Sequence, residues 1–294
     1  MNIKQILIFI LLKTPFMIYA QEDLEALLDE ATGEETEYTI ATFLSTRVIN
    51  CHSVEIMPKH GLDFRIAHRF GQFNTGFKEF YGFDESNSYL SLEYGFMDRV
   101  MMGIGRATYN KMFNGFIKPV ILRQSSGKRV MPVTVVAYSS IAVNSTIYED
   151  KERNEDFISR LSYTTQLVIG RKCTPKLSLQ LIPTFVHRNL VHTPEENNDL
   201  WAIGVGGRYK IFNRVSVNIE YFKVFGNNPP EGTEYFNPLS IGVDIQAGGH
   251  VFQLLVTNAR PIIENTLIGE TTGNFFNGDI RFGFNISQVF TLGK

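Results

Sequence analysis

Long apolar runs are missing from this 294-residue chain. The stretch Ile6–Leu12 is too short for a membrane-crossing helix, which needs about 20 apolar residues. Cysteine is nearly absent: Cys51 and Cys173 stand alone, which excludes a disulfide-dense scaffold and any cysteine-rich metal framework. Histidine spacing adds none, because no H-x-x-x-H or C-x-x-C pattern accompanies His52 and His60. Charge is scarce and nearly balanced, with 28 Lys and Arg against 30 Asp and Glu, and no basic run is visible. That argues against nucleic acid as a partner. Gly103-Ile-Gly105 and Gly204-Val-Gly206-Gly207 lack the following helix of a nucleotide loop, and glycine in a curved sheet explains them better.

What the chain has is alternation. In Trp201–Ile211, residues Trp201, Ile203, Val205, Tyr209 and Ile211 share one face, and Ala202, Gly204, Gly206, Arg208 and Lys210 share the other. The same split places Leu62, Phe64 and Ile66 opposite Asp63, Arg65 and Arg69. Near the end it sets Ile280, Phe282, Phe284 and Ile286 against Arg281, Gly283, Asn285 and Ser287. About twelve such stretches follow one another from Gly61–Phe70 to Asp279–Phe290, among them Met131–Asn144 and Phe157–Gly170. Mean hydropathy is only −0.06, as expected when outward apolar residues are diluted one-for-one by inward polar ones.

A soluble sandwich also alternates, so the connections decide. Short joins, such as Met97–Arg99, Gln124–Val130, Arg171–Pro175, Phe212–Arg214 and Ala247–Gly249, alternate with longer ones such as Gly71–Asn87, Ser145–Asp156 and Ala259–Gly278. Such alternation is expected when one end of a barrel faces the periplasm and the other the exterior. In a bilayer a sheet satisfies its backbone groups only by closing on itself. Tyr94, Phe96, Tyr163, Phe185, Trp201, Tyr209, Tyr221 and Phe290 fall near strand ends on the apolar face, where interface girdles sit. The expected fold is all-β: a transmembrane antiparallel barrel of about 12 strands over residues 61–294.

Residues 1–20 read as a signal peptide, with Lys4 ahead of the apolar run and Ala20 before Gln21. Residues 21–60 read as an acidic periplasmic lead. Its first part holds eight acids from Glu22 to Glu37 and no base. Such a run is either a solvated tail or a segment that threads partly into the lumen, and it offers a docking point for a periplasmic protein.

Three segments, Leu177–Leu190, Gly248–Leu254 and Gly278–Phe290, resemble a Bacteroidetes group of barrel-like membrane or secreted proteins, domain-of-unknown-function family 5777. The likeness runs from about Thr42 to Leu292. It implies an outer-membrane-like barrel in a Gram-negative cell and transfers no catalytic residue.

The candidate lumen residues are Asp63, Arg65, Arg69, Glu93, Arg160, Gln166, Gln180, Arg188, Arg208, Lys210, Glu220, Asp244, Gln253 and Arg281. Their slight basic excess suits either a selectivity lining or a cross-strand network that fills the barrel. Phe275 and Phe276, in a long polar loop, are candidate ligand contacts. Cys51 and Cys173 either pair, as an oxidising compartment permits, or stand as separate thiols. Hydrolysis would need a serine, a histidine base and an orienting group. His68, His187 and His250 fall on the apolar face, and so does Ser159, on the strand beside His187, but no G-x-S-x-G elbow exists.

The expectation is an outer-membrane barrel serving as a small passive pore or a solute- or surface-binding barrel. It needs no cofactor, and its partners are outer-membrane lipid and small solutes. The alternatives are a scaffold barrel that recruits a periplasmic partner and, third, an outer-membrane hydrolase.

Overall fold

A computed structural model describes residues 35–146, 156–191, 193–194 and 196–292. The expected signal peptide and the acids from Glu22 to Glu34 lie outside the described residues.

Fourteen strands are present among the described residues: β1 (Thr36–Tyr38), β2 (Gly61–Gln72), β3 (Ser86–Met97), β4 (Val100–Ala107), β5 (Phe113–Leu122), β6 (Ser125–Gly127), β7 (Thr134–Val143), β8 (Leu161–Lys172), β9 (Leu177–Arg188), β10 (Asp199–Phe212), β11 (Val215–Phe225), β12 (Leu239–Ala247), β13 (His250–Thr257) and β14 (Arg281–Thr291). Twelve of them form a closed barrel, each pairing antiparallel with its neighbours in chain order. β14 closes it on β2, with Ile286 opposite Ile66 and Thr291 opposite Gly61. β1 and β6 form a separate two-stranded ribbon, with Tyr38 opposite Ser125.

Parity along each strand sets the two surfaces. In β2 the buried set is Asp63, Arg65, Ala67 and Arg69, while Phe64 faces out; in β10 Leu200, Ala202, Gly204 and Gly206 are buried, while Trp201, Ile203 and Val205 are exposed. The exposed large apolar residues lie on every wall, from Leu90 and Leu92 on β3 to Leu254 on β13. Such a surface has no counterpart in a water-soluble fold, where apolar patches stay small. Tyr209, Phe96 and Phe290 mark one rim and Trp201 the other, and all four are exposed.

Two strand starts shift by three residues or more from the sequence expectation. The join after β5, expected as Gln124–Val130, runs from 123 to 133 and carries β6. Pro132 has no N–H to give to the ladder, so β7 begins at Thr134 rather than Met131. Residues 157–160 form a turn before β8, because the Asp156 carboxylate accepts from both the backbone N–H and the hydroxyl of Ser159. Ser159 and Arg160 therefore leave the strand assigned to them. Arg160 donates to the carbonyls of Asn144 and Thr146 beside that turn and does not line the lumen wall.

The interior is filled. Residues 42–57 enter from the short-turn end, next to Gly61, and most are buried. Helix α1 (Glu264–Gly269), inside the long join between β13 and β14, enters from the opposite end with all six residues buried. Phe43, Val48, Ile49 and Val54 of the first segment share one apolar cluster with Leu267 and Ile268 of α1. The wall completes that cluster with Val136, Val168, Ile182, Val186, Leu200 and Phe222. Burying each such side chain stabilises the packing by roughly 1.5–3 kcal/mol. The fit is close: a Cβ on Gly170 would stand 2.6 Å from Val54 Cγ1, and one on Gly95 would strike the Pro58 carbonyl.

Candidate functional site

Residues Thr46–Ser53 fold back on themselves inside the barrel. Val48 N–H donates to the Cys51 carbonyl and Ser53 N–H to the Thr46 carbonyl, with Arg47 and His52 bridged across the hairpin. At the tip, the backbone N–H groups of Ile49, Asn50 and Cys51 converge on Glu220 Oε2 at 3.2, 3.0 and 2.9 Å. Successive N–H groups in a turn form an anion-binding concavity, and here a wall carboxylate fills it. The Asn50 side chain adds bonds to Glu220 Oε1 and Ser240 Oγ, and Arg69 donates to Asn50 Oδ1 at 2.8 Å.

The tip carbonyls are held as well. Gln253 donates to Val48 O at 2.7 Å, Asn285 to Ile49 O at 3.0 Å and Gln180 to His52 O at 2.9 Å. Nearer the short-turn mouth, Lys118 Nζ reaches the carbonyls of Thr46 and Glu55, and Arg208 reaches those of Ala41 and Thr42. Buried backbone groups need such partners, and here side chains of the wall supply them.

Helix α1 meets the hairpin through Glu264. Its carboxylate accepts from Arg47 Nη1 at 2.9 Å and from the Tyr138 hydroxyl at 3.0 Å, and lies 3.6 Å from His52 Nε2. Arg47 also reaches Glu93 at 3.3 Å. Burial works to lower the Arg47 pKa, but the carboxylates of Glu264 and Glu93 hold it well above its ordinary value. His52 moves the other way: burial, and then the charges of Arg47, Lys118 and Arg65, push it well below the imidazole range. It packs as a neutral ring against Phe116 and Tyr138, at centroid distances of 4.7 and 4.3 Å. A cavity of about 380 Å³ remains beside the hairpin at the short-turn mouth, lined by Thr42, Glu55, Lys59, Asp98 and Arg123 among others. Burial pushes the Glu55 carboxyl up.

The sequence candidates sort onto this arrangement. Arg65, Arg69, Glu93, Gln180, Arg208, Glu220 and Gln253 contact the N-terminal hairpin segment directly. Asp63 is bonded by Arg65 and Ser287, and Asp244 by Gln253. Gln166 donates to Thr184 across the wall. Arg188 binds the Asn197 carbonyl and Glu196, and Arg281 approaches Glu85, so both serve long-loop joins. Lys210 is half-buried toward the short-turn rim. Phe276 is 89% exposed on its loop, with Phe275 edge-on at 6.0 Å. The two thiols are free, Cys51 buried and Cys173 exposed, so they form no disulfide. Cys51 sits at the hairpin tip inside the lumen, while Cys173 lies in the turn between β8 and β9.

Within the expected lead 21–60, the described part of the chain divides at the short-turn rim. Among the described residues, Glu35 precedes β1 and Glu37 lies within it at the rim, while residues 42–57 enter the lumen.

The profile of the membrane bound beta barrel domain family (DUF5777) matches residues 43–290. The chain belongs to this family. The matched span starts at Phe43, so the hairpin is part of the barrel domain and not an appendage to it. No curated protein matches the chain. Similar solved structures include the NanC porin, at 9% identity and a TM-score of 0.49 over 79% of this chain and 100% of that one. The KdgM porin is 11% identical with a TM-score of 0.47, covering 78% and 99%. The COG4313 outer membrane channel from Pseudomonas putida F1 is 11% identical with a TM-score of 0.49, covering 81% and 98%.

Sequence reasoning missed Arg47, Asn50, His52, Lys118, Tyr138 and Glu264. One signal was available for α1: Ile262, Ile263, Leu267 and Ile268 cluster in a join otherwise rich in polar residues, which is unusual for an exposed loop.

Proposed function

We propose that this barrel stands in the outer membrane and acts as a small gated pore for small solutes, with no chemistry of its own. Short turns and both chain ends of the barrel lie at one end, which suits the periplasmic side of such a membrane. One observation carries the gating: the hairpin that fills the lumen is continuous with the wall only at Gly61 and is held there by side-chain hydrogen bonds. Each such bond is worth about 0.5–1.5 kcal/mol net. The set can be exchanged for water if the hairpin withdraws through the short-turn mouth. Withdrawal would leave a wall carrying Arg65, Arg69, Glu93 and Glu220, a polar lining of the kind that sets solute preference.

No catalytic step is included. His187 pairs with Asp199 at 2.5 Å on the outer face, but the Ser159 hydroxyl donates to Asp156 in its own turn. Among the described residues no serine is hydrogen-bonded to His187.

The second reading is a scaffold whose N-terminal lead recruits a periplasmic protein. It is favoured by the position of β1, which pairs with β6 at the rim and holds the lead beside the short-turn mouth. Liposome swelling with neutral sugars separates the two. A gated pore gives swelling that rises when residues 42–57 are replaced by a Gly/Ser linker. A barrel that admits no sugar in either form is a scaffold.

A further inference from the structure

The apolar outer wall carries a depression. A groove of about 600 Å³ runs over β3, β4, β5 and β7, between Leu92, Ile104, Phe113 and Ile141. Its cause is a single residue. Across the wall, Leu92 stands opposite Ile104, Ile104 opposite Gly115, and Gly115 opposite Ile141. Gly115 therefore takes the place of a large outward side chain in a row of them. Packing does not demand glycine there: an added Cβ would find only the Gly103 carbonyl, 3.9 Å away. By contrast, a Cβ on inward-facing Gly105 would collide with Tyr89.

The next outward pair along these strands, toward the long-loop end, is Arg106 opposite Phe113. Arg106 is exposed, and its guanidinium lies over the Phe113 ring at 5.2 Å. Among the described residues no carboxylate lies within ion-pair distance of it. A lone arginine on a lipid-facing wall is tolerated near the strand end, at the depth of the headgroups. Two residues of strand separate it from Ile104, about 7 Å of rise, so the groove opens just below the charge.

We propose that Arg106 and the groove at Gly115 form a specific site for an anionic glycerophospholipid. The phosphate meets the guanidinium, whose planar fork suits phosphate oxygens. One acyl chain lies along the groove over Gly115, between Ile104 and Ile141. The charge selects the headgroup, and the missing side chain makes room for the tail.

The test is native mass spectrometry of the full-length protein in detergent, with dioleoyl phosphatidylglycerol or dioleoyl phosphatidylcholine added. The parent should retain phosphatidylglycerol preferentially. Arg106→Gln should lower that retention about tenfold, the loss expected when one charge-assisted hydrogen bond is removed. Gly115→Leu should lower it by filling the groove. Heat-modifiable gel migration confirms that each variant is folded, and if Gly115→Leu is not, Arg106→Gln decides alone. Equal retention of both lipids by the parent, or undiminished phosphatidylglycerol on Arg106→Gln, overturns the site. Preferential retention of added lipid A overturns the choice of lipid, and a change of oligomer mass in Gly115→Leu without loss of lipid assigns the groove to a second copy instead.

Discussion

Arg47, on the hairpin that enters from the short-turn end, and Glu264, on the helix that enters from the long-loop end, meet at 2.9 Å inside the barrel. Neither residue belongs to the wall. Two segments from opposite ends therefore close the lumen on each other, and the wall holds both.

That pair should govern closure. Removing one partner of a buried ion pair leaves a stranded charge, at a cost of about 3–5 kcal/mol. In Glu264→Gln, Arg47 keeps the Glu93 carboxylate and the Asn50 carbonyl but loses its shorter ion pair, and Tyr138 loses its carboxylate acceptor. The hairpin can relieve this cost by returning Arg47 to water. Planar-bilayer recordings should show longer open times for Glu264→Gln than for the parent, with unchanged current per opening.

The hairpin tip can be followed by thiol labelling. Cys51 is buried at that tip, and burial, then the neighbouring Glu220 carboxylate, pushes its thiol well up; Cys173 is exposed. A maleimide should label the folded parent at Cys173 alone. Glu220→Ala leaves the N–H groups of Ile49, Asn50 and Cys51 without their acceptor. Each buried orphan costs about 1–3 kcal/mol. Cys51 should then be labelled while the protein keeps its heat-modifiable migration. Labelling of Cys51 in the parent at the same rate as Cys173 would show that the hairpin is not seated.

The wall was legible in the sequence and its filling was not. The inward and outward sets of β2, β10 and β14 follow from a period of two, because one face must be apolar for lipid. The inward apolar residues Val136, Val168, Ile182 and Phe222 break the simple rule that the lumen face is polar. They make sense only once Phe43, Ile49 and Leu267 are seen to pack on them. Periodicity reports which face a residue takes and says nothing of what that face meets. Glu220 was thus read as lumen-facing, but its three backbone donors lie some 170 residues away in sequence.

Acid should loosen the hairpin through His52. Burial, and then the charges of Arg47, Lys118 and Arg65, hold its imidazole well below the ordinary 6.5, with Glu264 beside its Nε2. A group that resists protonation in the seated state stabilises that state above its ordinary pKa. The contribution is lost as the pH falls from there toward the depressed value. Glu55, whose carboxyl is raised by burial, acts in the opposite sense, so the comparison must isolate the histidine. Open probability should rise below pH 6.5 in the parent, and His52→Phe should remove that rise.

Single-channel recording of the full chain beside a variant in which Thr42–Met57 is replaced by a Gly/Ser linker tests closure most directly. The parent should stay mostly shut, and the variant should carry a steady ohmic current. Equal currents in the two proteins, open or silent, would contradict a lumen closed by the hairpin.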